Sequence, residues 1–113
     1  MIEQYQFGKL RVNGICYTAD LIIVGAQVLP NWRRQTGHRL GVVDIAPAVL
    51  EFKPSIVVIG TGAWGRLRVL PETKRYLADL NIDFVIQRTG RAWKSFNSLL
   101  KSGLPMAAFH LTC

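Results

Sequence analysis

An α/β domain of three layers with a mixed sheet is the fold this sequence predicts, on three observations. The run Ile56-Val57-Val58-Ile59 is apolar and β-branched without alternation, as a strand covered on both faces should be. It breaks into the glycine-rich stretch Gly60-Thr61-Gly62-Ala63-Trp64-Gly65, at the end of a strand where open α/β sheets hold their ligands. Helical patterns then alternate with short apolar runs, the signature of βα units. With 113 residues and 50% hydrophobic content, residues 1–113 suit one packed core and are expected as a single domain.

The first third reads as β structure. Leu10-Arg11-Val12 and Ile15-Cys16-Tyr17 flank Asn13-Gly14, a hairpin signal because both central residues of a type I′ turn need positive φ. Leu21 to Val24 is the next strand, ended by Gly25, and Val28-Leu29 continues it until Pro30 stops the pairing. From Asn31 to Val43 the periodicity fades into irregular or edge structure. Asp44 is placed as the N-cap of a helix carrying Ile45, Ala46, Val49, Leu50 and Phe52, with Pro47 tolerated in its first turn and Pro54 beyond its end.

After the central strand a loop is expected through Leu70, since Pro71-Glu72 opens a helix carrying Tyr76, Leu77 and Leu80. Asn81 closes that helix and Ile82 to Ile86 is a strand, so Ser55 to Ile86 forms a βαβ unit with a right-handed crossover. Thr89 is placed as the cap of a third helix with the stripe Ala92, Trp93, Phe96, Leu99 and Leu100; Gly103 terminates it, and Met106 to Leu111 is the last strand. The whole is an N-terminal β-hairpin region, two βα units and a final strand. A reversal of direction between the two units would place their helices on opposite faces and open a crevice beside Gly60–Gly65.

Charge is the compositional outlier: 14 Lys plus Arg against 7 Asp plus Glu give a formal net of +7. Such a surface favours anionic company or serves solubility alone. Cys16 and Cys113 offer neither a disulfide framework nor metal-ligand spacing, so no metal is expected and a reducing cytoplasm suits them. No apolar run approaches the roughly 20 residues that cross a bilayer, and Glu3, Gln4 and Gln6 interrupt any leader-like start. A cytoplasmic chain with no membrane span is expected.

Gly60, Gly62 and Gly65 spell G-x-G-x-x-G directly after a strand, which is half of a dinucleotide fingerprint. The other half is missing. Arg66 to Leu70 separate the glycines from the helix at Pro71, and Gln87-Arg88 stands where a ribose-binding acid belongs. No cofactor is expected. A softer reading gathers Gly60, Thr61, Gly62, Arg66, Arg68, Thr89, Arg91 and Asn97 at one end of the sheet as an anion-holding group. Its plain alternative is that the glycines make a turn while Thr89 and Asn97 satisfy loop backbone groups.

Catalysis lacks parts. His38 and His110 have no sequence neighbour to pair with, and His110, between Phe109 and Leu111, matches the commoner case of a satisfied core or edge histidine. Carboxylates are scattered singly, so no catalytic residue is assigned and an enzyme is the weaker class. Trp32 before Arg33-Arg34, and Trp64 between glycine-loop residues with Arg66 following, are candidate interaction anchors. With no RNA-binding signature, nucleic acid ranks well below a protein partner.

Gly14 and Tyr17 before Asp20, Trp32 and His38, Ile59-Gly60-Thr61-Gly62, Leu70-Pro71-Glu72, then Thr89, Ala92 and Asn97 ahead of His110-Leu111-Thr112 form an ordered set. That set resembles a family of small uncharacterised proteins from bacteria, archaea and mitochondria, whose eukaryotic members include an assembly factor for respiratory complex I and an adipogenesis-associated cytoplasmic protein. The resemblance spans nearly the whole chain. It implies a three-layer α/β/α-type domain with a mixed sheet, no established catalytic activity, and roles in assembly or interaction. Two departures stand out: Ala63-Trp64-Gly65-Arg66 replaces the acidic or polar residue often found after Gly-Thr-Gly, and Lys101 or Ser102 replaces an acid near the end of the third helix. No acid site is therefore carried over. The function expected is a small binding or assembly-type module acting through protein interaction. Its alternative is an enzyme or carrier for a small anionic ligand in the Gly60–Gly65 crevice.

Overall fold

The computed structural model describes residues 1–113. In chain order it forms β1 (Ile2–Gln6), β2 (Lys9–Val12), β3 (Ile15–Tyr17), β4 (Leu21–Val24), β5 (Gln27–Leu29), β6 (Arg39–Leu40), α1 (Val42–Phe52), β7 (Ile56–Thr61), β8 (Arg68–Val69), α2 (Pro71–Asp79), β9 (Asp83–Gln87), α3 (Thr89–Leu99) and β10 (Met106–His110). The central sheet runs β5-β4-β10-β7-β9, with β10 parallel to β7, β7 parallel to β9, and β4 antiparallel to both its neighbours. This is the mixed sheet expected.

Side-chain alternation divides the core in two. Val57, Ile59, Met106, Ala108, Ile22 and Val24 pack with Ile45 and Val49 of α1 and Leu77 of α2. Val58, Ala107, Phe109, Leu21 and Ile23 pack on the other side with Ala92 and Phe96 of α3 and with Ile2, Leu10 and Val12 of the small sheet. Val57, Val58 and Ile59 have no exposed surface at all, which is why this strand has no polar face in the sequence. The chain leaves β7 outward through α2 to β9, then returns through α3 across β7 to β10. The helices of the two units thus cover opposite faces, and the direction reverses between β7 and β10.

Several local expectations are corrected. The expected hairpin is present, β2 and β3 pairing antiparallel across Asn13-Gly14, but a strand the sequence does not announce, β1, adds to it on the β2 side to make the three-stranded sheet β1-β2-β3. β1 escaped the sequence because Glu3, Gln4 and Gln6 are exposed and only Ile2 is fully buried. Val28-Leu29 does not continue β4; the chain turns at Gly25, where φ is +57°, and comes back as antiparallel β5. Within the stretch read as irregular and the loop read through Leu70, Arg39–Leu40 and Arg68–Val69 meet as a short parallel pair.

Asp44 is not the N-cap of α1. Gly41 caps it, and the Asp44 carboxylate, one turn in, accepts from the Gly41 N–H at 2.8 Å and the Gln35 N–H at 3.0 Å. Thr89 likewise is the first residue of α3 and caps nothing, the cap position belonging to Arg88.

Candidate functional site

The crevice at the sheet reversal is filled by the chain itself. Leu111–Cys113 continues β10 past the glycine loop, where the Ala63 N–H donates to the Thr112 carbonyl at 2.6 Å and the Arg66 N–H to the Cys113 carbonyl at 3.0 Å. The Gly62 N–H donates to Thr89 Oγ1 at 2.9 Å, and that hydroxyl donates to the His110 carbonyl at 2.6 Å. Thr89, wholly buried, therefore ties loop, helix and strand together. Gly62 has φ +100°, and a Cβ there would stand 2.8 Å from His110 Cδ2, so only glycine permits this approach.

Of the residues grouped by sequence as an anion site, Gly60, Thr61, Gly62 and Thr89 do come together, but as a knot of internal hydrogen bonds. Thr61 Oγ1 donates to the Gln87 carbonyl at 3.2 Å. Arg66 and Arg91 are exposed near the loop, and the Arg68 N–H is turned to the His38 carbonyl. Asn97 lies elsewhere: its Oδ1 accepts from the Ile2 N–H at 2.9 Å and its Nδ2 donates to the Ile2 carbonyl at 2.7 Å. It stands eight residues, about 12 Å, along α3 from Thr89. Its amide is needed by β1, so its place in that group is corrected. None of the surface recesses is lined by Gly60, Thr61, Thr89 or Asn97.

Beside this knot lies a polar cluster that sequence reasoning did not assemble. Asp20 Oδ2 accepts from Arg34 Nη2 and from His110 Nδ1, each at 2.8 Å, and Oδ1 accepts from the Leu111 N–H at 2.8 Å. The Arg34 side chain is 5% exposed and that of His110 7%. Since Nδ1 faces a carboxylate, it carries the ring proton. His38 packs edge-on against His110 with ring centroids 5.5 Å apart. Burial by itself would raise the Asp20 carboxyl, but the hydrogen bonds from His110, the Leu111 N–H and Arg34 outweigh it and hold the group below its ordinary range. Tyr5, whose hydroxyl donates to the Leu111 carbonyl, is raised by burial and by the Asp20 charge.

No recess reaches His110, and no nucleophile is seen on its Nε2, which is buried without a partner. The cluster fastens the end of β10 to the start of β4. Asp20, Arg34 and His110 are up to 90 positions apart, so no spacing rule could have joined them. Nor does any group of His, Cys, Asp and Glu have the arrangement to hold a metal ion.

The exposed chemistry lies outside the knot. Trp64 is 56% exposed and Phe7 54%, their rings 5.4 Å apart at 36°, and the Arg66 guanidinium sits 5.8 Å from the Trp64 ring. Phe7 reaches this place because the Gly8 N–H donates to the Leu111 carbonyl and pins the β1–β2 turn beside the loop. Arg88 packs over Gly65. Every ion pair in the protein involves Asp20, which leaves Arg66, Arg88 and Arg91 without an acidic partner.

Trp32 differs from Trp64. Half-buried, it donates from Nε1 to the Asp44 carbonyl at 2.9 Å and carries the Arg34 guanidinium 4.7 Å from its ring centroid. It still lines an open cleft of about 640 Å³ between the Leu29–Gln35 segment and α1.

The architecture has solved counterparts. A conserved hypothetical protein from Pyrococcus horikoshii OT3 is 25% identical, with a TM-score of 0.87 over 100% of this chain and 99% of its own. A Bartonella henselae protein described as an outer membrane protein is 23% identical, with a TM-score of 0.81 over 99% and 94% of the two chains. A Bordetella pertussis protein described as an Mth938-like domain is 18% identical, with a TM-score of 0.69 over 98% and 85%. No helix here is long and apolar enough to cross a membrane. Residues 2–111 match the family model described as a protein of unknown function (DUF498/DUF598), and the chain belongs to that family.

Proposed function

We propose that this protein is a cytoplasmic binding or assembly-type module that recognises another protein through the ledge formed by Phe7, Trp64 and Arg66. One observation carries the reading: two large aromatic side chains, more than half exposed and with their rings tilted together 5.4 Å apart, stand beside arginines with no acidic partner. Tryptophan, tyrosine and arginine are the side chains that most often anchor protein interfaces, because they combine a large apolar area with a directed polar group. The fitting partner presents carboxylates flanking an apolar side chain, so that Arg66 can form two parallel hydrogen bonds to one carboxylate while Trp64 is covered.

The resemblance to a family with a complex I assembly factor among its eukaryotic members points the same way. Against a small anionic ligand stands the engagement of the Gly62, Ala63 and Arg66 N–H groups by the chain itself.

Affinity capture from the host that makes this chain, read by mass spectrometry, tests the proposal. Proteins retained by the wild type should be lost with Phe7→Ala/Trp64→Ala and with Arg66→Ala/Arg91→Ala, while the melting temperature of each variant stays within a few degrees of wild type. Retention of the same proteins by both double variants would refute the ledge. Saturable binding of inorganic phosphate that Arg66→Ala/Arg91→Ala abolishes would favour the small-anion reading instead.

A further inference from the structure

The two edges of the central sheet are protected unequally. β5 is three residues long and is followed at once by Pro30, both of which blunt an edge. β9 is five residues long, has β7 on one side only, and carries neither a proline nor a lysine. The Asp83 N–H donates to the Ser55 carbonyl at 3.1 Å, so in the parallel ladder residues 83, 85 and 87 direct their backbone groups to β7. Phe84 and Ile86 direct theirs away from the sheet. Phe84, Val85 and Ile86 are only partly buried, and a recess of about 670 Å³ lined by Ala78, Asn81, Ile82 and Phe84 runs along this edge.

We infer that the β9 edge pairs with β9 of a second copy of this chain, antiparallel about a two-fold axis through Val85. The residues are self-complementary in that register. Phe84 falls opposite Ile86 of the second copy, and because both have outward backbone groups they exchange two N–H···O bonds, twice over by symmetry. On the face shared with α1 and α2 this makes two apolar cross-strand pairs; on the α3 face Val85 meets its own copy. Asp83 falls opposite Gln87. Gln87 Oε1 already accepts from Ser95 Oγ at 2.7 Å, so its Nε2 is the end left to donate to the Asp83 carboxylate of the second copy. No like charges oppose each other. A five-residue strand is a small contact, so the recess beside Ala78 and Asn81 is filled as part of the same interface.

Sedimentation equilibrium on the full chain tests this. The wild type should pass with concentration from 12.7 kDa to twice that mass with a single dissociation constant. Gln87→Glu keeps the acceptor for Ser95 but sets two pairs of carboxylates against each other, and should raise the dissociation constant about tenfold. Asp83→Lys/Gln87→Glu sets opposite charges against each other across the axis and should restore dimerisation. Within one strand residues 83 and 87 are too far apart, about 13 Å, for that rescue to arise inside a single chain. Ile86→Pro removes an outward N–H and should leave a folded monomer, checked by circular dichroism. A wild type that remains a single 12.7 kDa species at roughly 1 mM overturns the inference. So does a dimer whose constant is the same in Gln87→Glu and Ile86→Pro.

Discussion

Replacing Asp20 by alanine is the perturbation that most directly tests how the end of β10 is held. The carboxylate is the counter-charge of Arg34, whose side chain is 5% exposed, and the acceptor for His110 Nδ1 and the Leu111 N–H. Breaking a buried pair by removing one partner costs about 3–5 kcal/mol, mostly because the other charge is left uncompensated. The Leu111 N–H loses its acceptor as well, an effect of about 1–3 kcal/mol that water entering the vacated space will reduce. A net loss of about 4 kcal/mol is expected, a large part of the roughly 5–15 kcal/mol that stabilises a domain. At about 4 °C per kcal/mol for a chain of this size, the melting temperature should fall by about 15 °C.

Urea denaturation followed by circular dichroism measures the change as a lower midpoint at unchanged slope. Arg34→Met made in the Asp20→Ala background should cost far less than Arg34→Met alone, because it removes the stranded charge. A loss below about 1 kcal/mol for Asp20→Ala, or strict additivity of the two changes, would refute the reasoning.

Three further outcomes follow from the same geometry. The Asp20 carboxyl titrates below its ordinary value of 3.8 in the folded protein, so its contribution is fully present above that pH and lost as pH falls through the lowered value; Asp20→Asn should flatten this part of the acid limb in a pH series of melting curves. Asn97→Ala removes both side-chain hydrogen bonds to the buried Ile2 backbone and should cost about 2–3 kcal/mol in urea titrations, with faster amide exchange at Ile2. Gly62→Ala demands an unfavourable φ and forces a Cβ onto the Cys113 backbone and His110, so a loss above about 3 kcal/mol by thermal melting is expected; an unchanged melting temperature would show that the segment yields freely.

What could be read from the sequence followed from local periodicity. β4, β7, α2, β9, α3 and β10 announce themselves by uninterrupted apolar runs or helical stripes, and the parallel strands β9, β7 and β10 with antiparallel β4 and β5 form the predicted mixed sheet. β1 was hidden because a strand with one buried residue among polar ones has no pattern. Thr89 and Asp44 read as caps for one reason: a short polar side chain before an apolar run has the composition of a cap whether it bonds its own helix or a distant backbone. Thr89 bonds Gly62 and His110, and Asp44 reaches Gly41 and Gln35. The Asp20–Arg34–His110 cluster depends on antiparallel pairing of β4 with β10, a contact between chain ends that only the folded topology creates.

The glycine loop shows why a strand-end motif and a ligand site are separable. In an open α/β sheet the reversal point offers unpaired N–H groups to whatever enters the crevice. Here the chain continues beyond His110, and Thr112 and Cys113 take up the Ala63 and Arg66 N–H groups that a phosphate would have needed. The same contacts fix the base of the loop, since Thr89 locks Gly62 from below and the Gly8 N–H brings Phe7 in from the small sheet. Trp64 thus stands on a loop whose flanking residues are hydrogen-bonded to the rest of the chain, with the Phe7 ring 5.4 Å from its own. Binding through such a side chain loses less conformational freedom than binding through a mobile loop, where each ordered side chain costs about 0.5–1.5 kcal/mol. The chain's own contacts therefore occupy the N–H groups of the glycine loop, and on the proposed reading it is Trp64, a short distance outward along the same loop, that meets a protein partner.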